Sequence, residues 1–195
     1  MACEINTCDE LLLTEMIFEN VFDGLDAAES AALLSALVLQ AKCGDEVNPP
    51  TPALAFAYET TMRIGTLFVI VVVVVALRGQ RTRFNNVCAV ATALDTRQHE
   101  LGVMLDPDWI KSILNPGLLV VVWEWAKGRP FASLMNITSL DEGIIVRAVT
   151  RLDETCREVK NAARVLGDPV LLTKMETASK MIKRDVCFAT SLYVS

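Results

Sequence analysis

The stretch that decides the fold is residues 140–166, LDEGIIVRAVTRLDETCREVKNAARVL. Its apolar residues recur at steps of three or four, which is the period of one face of an α-helix. This apolar stripe consists of Ile145, Ala148, Leu152, Cys156, Val159, Ala163 and Leu166. Gly167-Asp168-Pro169 follows as a stop, because glycine commonly ends helices and proline cannot continue one. The pattern predicts one long amphipathic helix whose apolar side packs into a core.

Capping signals predict further helices on both sides of this one. Asp26-Ala-Ala-Glu29 and Ser139-Leu-Asp-Glu142 each have the spacing of a capping box, the second opening the long helix. Thr51-Pro52 opens a helix that we expect to run through about Ile64. The remaining predicted helices are 9–22, one from Asp106 onward, 117–127, 131–137 and about 170–193. The helix at 117–127 is apolar almost all round, so we expect it to be the central, buried one.

The most apolar stretch is LFVIVVVVVAL (67–77). Only 14 uncharged residues separate Arg63 from Arg78, fewer than the roughly 18–20 that a membrane-spanning helix needs. Five consecutive valines favour a strand or a buried core element over an exposed helix. A membrane-associated segment is the alternative, and we expect it to be wrong. The fold class is therefore all-α, an irregular bundle of about six or seven helices with one strand candidate.

Composition and charge exclude several classes of protein. The chain has 195 residues, of which 52 % are hydrophobic and 22 % charged, so it is not disordered. Residues 1–60 hold eleven acidic residues and one lysine, a net charge of −10, whereas residues 61–195 carry +4. A polyanionic partner should therefore contact the C-terminal two-thirds. With a net charge of −6, the whole chain is too acidic for an autonomous, tight nucleic-acid binder.

Catalytic, cofactor and metal signals are missing from the sequence. It contains neither a P-loop nor a G-x-G-x-x-G motif, and its single histidine, His99, has no partners at zinc spacing. The six cysteines form no C-x-x-C pair, and no secretion signal is visible, so we expect reduced, mostly buried thiols. We therefore predict no catalytic, cofactor-binding or metal site in this chain.

A row of charged side chains lies beside the apolar stripe of the long helix. Arg147, Arg151, Glu154 and Glu158 follow one another at steps of one helical turn, and Arg151 and Glu154 could pair. The ordinary interpretation is a solvated face, which is the default for an amphipathic helix. The alternative is a row that contacts a nucleic-acid strand, since arginine binds phosphate and stacks on bases. Spacing alone does not choose between these interpretations.

Four quoted stretches resemble a known family. They are DELLLTEMIFENVFDGLDAAESAALLSALV (9–38), WEWAKGRPF (123–131), DEGIIVRAVTRLDETCREVKNAARVLGDPVL (141–171) and KMETASKMIKRDVCFATSLY (174–193). Together they resemble the DSHCT domain, the C-terminal helical bundle of exosome-associated DExH-box RNA helicases. VLGDPVLLTKMETA (165–178) favours the superkiller (Ski) branch, with the nuclear exosome-adaptor branch as the alternative. The expected location is therefore cytoplasmic, or else nuclear.

The resemblance implies a bundle that packs against two RecA-like motor domains and works with subunits of an exosome-linked complex. It also implies that one helix, the ratchet helix, lies across single-stranded RNA leaving the motor. Residue by residue, the family's base-contacting Arg and Glu correspond to Arg151 and Glu154. Arg147 also has the residue type that the family has at its position. These three are the expected RNA-binding residues. The expected function is an accessory domain that guides RNA during 3′-to-5′ decay.

The departures from the family limit these expectations. The motor's P-loop and DExH box are missing, so ATP and Mg²⁺ belong to the parent helicase and this chain looks like a detached domain or fragment. Residues 67–96 do not match, and we hypothesise an insertion within a single 1–195 domain, such as an intron translated in frame. Transcripts that lack this segment would support the insertion, whereas relatives that share the valine run would contradict it. The alternative function is an interaction module that docks on motor or exosome-linked partners without contacting RNA.

Overall fold

A computed structural model describes residues 10–39, 41, 48–77 and 114–184 of the chain. Within them the backbone forms seven α-helices, one short 3₁₀ helix at Pro116–Leu118 and no strand, which confirms the all-α prediction. The α-helices are α1 (Glu10–Phe18), α2 (Ala27–Val38), α3 (Pro52–Leu77), α4 (Leu119–Ala126), α5 (Phe131–Leu134), α6 (Glu142–Leu166) and α7 (Pro169–Ile182). The predicted helix after Asp106 lies outside the described residues, as does the part of the last one beyond Arg184.

The N-terminal ends of α2 and α3 are linked by a continuous set of capping hydrogen bonds. As predicted, the backbone N–H of Glu29 donates to Asp26 Oδ1 at 2.7 Å and the N–H of Asp26 donates to Glu29 Oε2 at 2.9 Å. The Thr51 hydroxyl donates to Glu29 Oε1 at 2.6 Å and accepts from the N–H of Leu54 at 3.2 Å. The buried Glu29 carboxylate is thereby satisfied by both helices, so local caps also set how α2 and α3 meet.

The central helix is α2, and the prediction that residues 117–127 would be central is wrong. Every residue from Ala28 to Val38 is buried, and α2 contacts α3, α4, α6 and α7. Its many alanines and serines let neighbouring helices approach from all sides, whereas the larger side chains of α4 cover only one face. Trp123 and Glu124 of α4 stay partly exposed. Residue size, and not hydrophobicity alone, therefore decides which helix is surrounded.

The valine run does not form a strand. It is the C-terminal part of α3, which continues past the expected end near Ile64 to Leu77. Thr51 and Pro52 start this helix, and no proline follows within it, so each further residue adds a hydrogen bond to an existing helix. The strand preference of valine spans only about 1 kcal/mol and depends on context, so it does not prevent this. Of the helices built from described residues, none combines the length and apolar composition that crossing a membrane requires.

The proposed insertion at 67–96 remains a hypothesis. Residues 67–77 lie in α3, and residues 78–96 lie outside the described part of the chain.

The second predicted capping box does not start α6. The N-cap of α6 is Asp141, not Ser139, and the Asp141 side chain makes no capping hydrogen bond. Instead, the Thr138 hydroxyl accepts the N–H of Leu140 at 3.2 Å in the preceding turn. Because of this turn, the N-cap lies two residues after Ser139, and Ser139 is not part of α6.

Candidate nucleic-acid interface

The candidate interface is carried by α6, a continuous helix of 25 residues. It ends at Gly167, which adopts the left-handed conformation (φ 77°) that glycine tolerates best. Asp168 then caps α7 by accepting the N–H groups of Val170 and Leu171 at 2.9 and 3.0 Å. This stop-and-restart, predicted from Gly167-Asp168-Pro169, folds α7 back along α6 as a helical hairpin.

The apolar side of α6 packs inward as predicted, with one exception at its end. Six of the seven stripe residues are buried, against α7 and α2. Leu166, the seventh, is 50 % exposed, and its neighbour Val165 is also exposed. Leu166 is the last residue of the helix, and the chain turns into α7 immediately after it, so none of the described elements covers its side chain.

The charged row lies on the side of α6 opposite the core. Arg147 and Glu154 are exposed, while Arg151 and Glu158 are partly buried. Neither the Arg151 guanidinium nor the Glu154 carboxylate has a hydrogen bond or ion pair with another described residue. The possible pair between these two side chains is therefore not formed. Within the described ranges, both groups are left without a partner, on a helix whose opposite side packs into the core.

A buried carboxylate that the sequence analysis missed lies next to this row. Asp153 has a side chain only 2 % exposed and accepts from the Ser179 hydroxyl of α7 through Oδ1 at 2.5 Å. Its Oδ2 pairs with the guanidinium of Arg157 and, at 3.1 Å, with the ammonium of Lys183. Val149 and Cys156, one turn away on either side, are both buried, and this spacing was the signal that Asp153 also faces the interior.

The end of α7 that carries Lys183 is held by α4. The indole N–H of Trp125 donates to the carbonyl of Ile182 at 2.9 Å. The guanidinium of Arg184 lies over the Trp125 ring, 3.9 Å from its centroid, and donates to the Trp125 and Arg129 carbonyls. The position of Lys183 is therefore determined from two sides, by Trp125 and by Asp153.

The edge between α6 and α7 is electropositive. Glu176 on α7 pairs with Lys180 at 3.1 Å, and the pKa of its carboxyl is lowered mainly by that hydrogen bond and the Lys180 charge. Lys160 and Arg164 on α6 also lower the pKa of Glu176, which places their charges within electrostatic reach of it. Cations of both helices thus line one edge beside the charged row.

Cys156, the cysteine within the described residues, is free and buried. Burial raises the pKa of its thiol from 9.0 to about 12, with the Asp153 carboxylate adding to the rise and Lys183 opposing it. The other five cysteines lie outside the described residues, at Cys3, Cys8, Cys43, Cys88 and Cys187.

We expect Cys156 to resist alkylation by iodoacetamide at mildly alkaline pH in the folded chain and to react after unfolding. A raised pKa favours the protonated thiol, so its contribution to stability is present below pH 9 and is lost as the pH rises toward about 12. Mass spectrometry of the labelled peptides distinguishes Cys156 from the other cysteines. Rapid labelling of Cys156 without unfolding would contradict the prediction.

Comparison with known proteins gives a consistent picture. A family model described as the DSHCT (NUC185) domain matches residues 1–189. The chain is 40 % identical over 200 residues to the DExH-box ATP-dependent RNA helicase DExH11 of Arabidopsis thaliana, and 37 % identical over 195 residues to the human Superkiller complex protein 2. It is 34 % identical over 194 residues to the human Exosome RNA helicase MTR4.

These alignments cover 99–100 % of the chain but only 12 %, 13 % and 16 % of the three relatives. The chain thus spans about one eighth to one sixth of the length of the proteins that it resembles.

Proposed function

Because the chain belongs to the DSHCT (NUC185) domain family, we propose that it acts as the accessory domain of an ATP-dependent DExH-box RNA helicase. In this proposal it guides single-stranded RNA through a ratchet-like helix, α6, during exosome-linked 3′-to-5′ decay. The relatives named for RNA helicase activity, a superkiller complex and the exosome support this assignment. The bundle would dock on RecA-like motor domains, which would supply ATP and Mg²⁺ chemistry.

The observation that carries the proposal is the two-sided character of α6. One side is anchored in the core by six buried residues and by Asp153, and the other presents Arg147, Arg151 and Glu154. A helix held rigidly from behind can keep side chains in place while a strand moves past them, because the helix itself has little freedom to yield.

The chemistry of the three side chains suits RNA. A guanidinium donates up to five hydrogen bonds and stacks on flat bases, so Arg151 can contact a base or insert between two. The Glu154 carboxylate is repelled by phosphate but accepts hydrogen bonds from base amino groups. Arg147, two turns before Glu154, would bind a phosphate of the same strand. This mixture favours a contact with bases over simple attraction to the backbone.

The proposed location follows the relatives. The superkiller relatives favour a cytoplasmic RNA-decay complex, and the exosome helicase relative makes the nucleus the alternative. Partners would be subunits of the corresponding exosome-linked complex.

Arg151→Ala is expected to weaken binding of labelled single-stranded RNA about tenfold at low salt, because it removes a charge-assisted contact of roughly 1.5 kcal/mol. Fluorescence anisotropy with a short oligouridylate measures this. Binding by the intact chain should itself be weak, with a Kd in the range of about 10⁻⁴–10⁻⁶ M, and salt-sensitive. Arg63→Gln on α3 is the matched control, since it removes an exposed cation from a different helix.

The acidic N-terminal part supports a second candidate, an interaction module that docks on a basic partner surface without contacting RNA. Residues 1–60 carry a net charge of −10. If the chain binds no RNA even at low salt but co-purifies with a motor domain, and Arg147→Ala with Arg151→Ala leaves that docking unchanged, this candidate replaces the first.

A further inference from the structure

Two cations from different helices converge on a single carboxylate oxygen. Arg157 of α6 and Lys183, which follows α7, both pair with Asp153 Oδ2, the lysine at 3.1 Å. Asp153 itself is buried, but the Arg157 and Lys183 side chains are 54 % and 36 % exposed. The cations therefore reach from a buried anchor to the surface, where they lie side by side.

The charges at this point do not cancel. One carboxylate faces two cations, and its other oxygen, Oδ1, is already taken by the Ser179 hydroxyl. The cluster keeps an excess of one positive charge. The Arg157 guanidinium still has unused donors, and the Lys183 ammonium has two of its three donors left. Asp153 already orders both side chains, so binding of an anion between them costs little side-chain conformational entropy.

The cluster lies beside the proposed RNA-contacting row. Arg157 is one helical turn from Glu154 and about 60° from it around the helix, whereas Arg151 lies about 9 Å away along the axis and about 120° away around it. Lys160, Arg164 and Lys180 extend the positive charge along the same edge, with Glu176 as a partial counter-charge. A strand that contacts Arg151 and Glu154 and continues around α6 toward α7 would reach this pair of cations.

We propose that Arg157 and Lys183 form a phosphate-binding site for the backbone of single-stranded RNA, pre-organised by Asp153. The inference rests on the proposed function and adds a contact that is independent of the base. A phosphodiester carries one negative charge and two free oxygens, which match the excess charge and the two neighbouring donors. The base-contacting row and the phosphate site together would fix how close the RNA strand lies to α6 and which nucleotide faces Arg151.

The test uses the full chain, labelled oligouridylate and a salt titration. Arg157→Gln and Lys183→Gln should each weaken binding about fivefold at low salt. Each should also reduce the slope of log affinity against log salt by about 0.7, the value for one phosphate on a single strand. Arg157→Lys keeps the charge and should restore the slope, and the control Arg63→Gln should leave both quantities unchanged. Thermal unfolding of each variant shows that it is folded.

A chemical variant of the RNA gives an independent readout. Methylphosphonate linkages, which are uncharged, should weaken binding by the wild-type chain more than binding by Arg157→Gln, because that variant has already lost the phosphate contact. If Arg157→Gln and Lys183→Gln bind like Arg63→Gln while Arg151→Ala loses affinity, the phosphate site is overturned and the proposed function stands. If the wild-type chain binds no RNA, both are overturned. Equal competition by polyglutamate would assign the site to acidic peptides instead.

Discussion

Trp125→Ala is expected to lower the free energy of unfolding by about 3–5 kcal/mol, the usual cost of truncating a large buried aromatic residue. Trp125 is 1 % exposed and meets the Phe131 ring edge-on at 5.8 Å. It also donates to the Ile182 carbonyl, which would lose this partner. Alanine therefore creates a cavity under α4 and releases the end of α7 at the same time.

Urea unfolding followed by far-ultraviolet circular dichroism measures this loss. Trp125→Phe is a milder variant, because it keeps most of the buried aromatic ring but lacks the N–H group. We expect it to lower the free energy of unfolding by only about 1–2 kcal/mol. Trp123→Phe is the control on the same helix, since Trp123 is only partly buried and has Lys127 over its ring at 3.5 Å. Equal losses for Trp125→Ala and Trp123→Phe would show that Trp125 does not hold the bundle together.

Asp153→Ala is expected to lower the free energy of unfolding by about 2–3 kcal/mol. Removing one partner of a fully buried ion pair costs about 3–5 kcal/mol. The cost is smaller here because Arg157 and Lys183 are partly exposed and regain water when the carboxylate is lost. The Ser179 hydroxyl, in contrast, loses its acceptor inside the α6–α7 contact.

The same unfolding measurement tests this prediction against two further variants. Asp153→Asn keeps an oxygen that can accept from Ser179 but loses the charge, so its effect should lie between those of wild type and Asp153→Ala. Glu176→Ala removes the carboxylate of an exposed pair with Lys180, and its cost should be far smaller than that of Asp153→Ala. If Asp153→Ala costs no more than Glu176→Ala, the buried network does not stabilise the hairpin.

Much of the helical framework could be predicted because its signals are local. The Asp26–Glu29 box, Thr51-Pro52 and Gly167-Asp168-Pro169 each place a donor, an acceptor or a special backbone angle within a few residues of a helix end. The family could also be predicted, since its motifs are ordered stretches of sequence. The local signal was ambiguous at Ser139 and in the valine run: α6 begins later than the predicted cap, and the valine run does not form the strand that was one of its two predicted structures.

The candidate site also has one part that the sequence predicted and one part that it did not. The row of Arg147, Arg151 and Glu154 follows from the helical period, and its contact with RNA stays a prediction. The spacing from Val149 and Cys156 indicates that Asp153 faces inward, but its partners did not follow from the sequence, because an aspartate beside arginines on a helix is normally solvated. Only the approach of α7 buries it and brings Ser179 and Lys183 to its two oxygens.

By itself, the sequence determined that this chain is an all-α member of the DSHCT family with a long amphipathic α6, because caps, stops and periodicity act between residues close along the chain. The tertiary structure alone decided that α2 is the central helix, that Leu166 stays exposed and that Arg157 and Lys183 meet over one buried carboxylate. Those outcomes depend on side-chain size and on contacts between residues far apart in sequence, which no local pattern encodes.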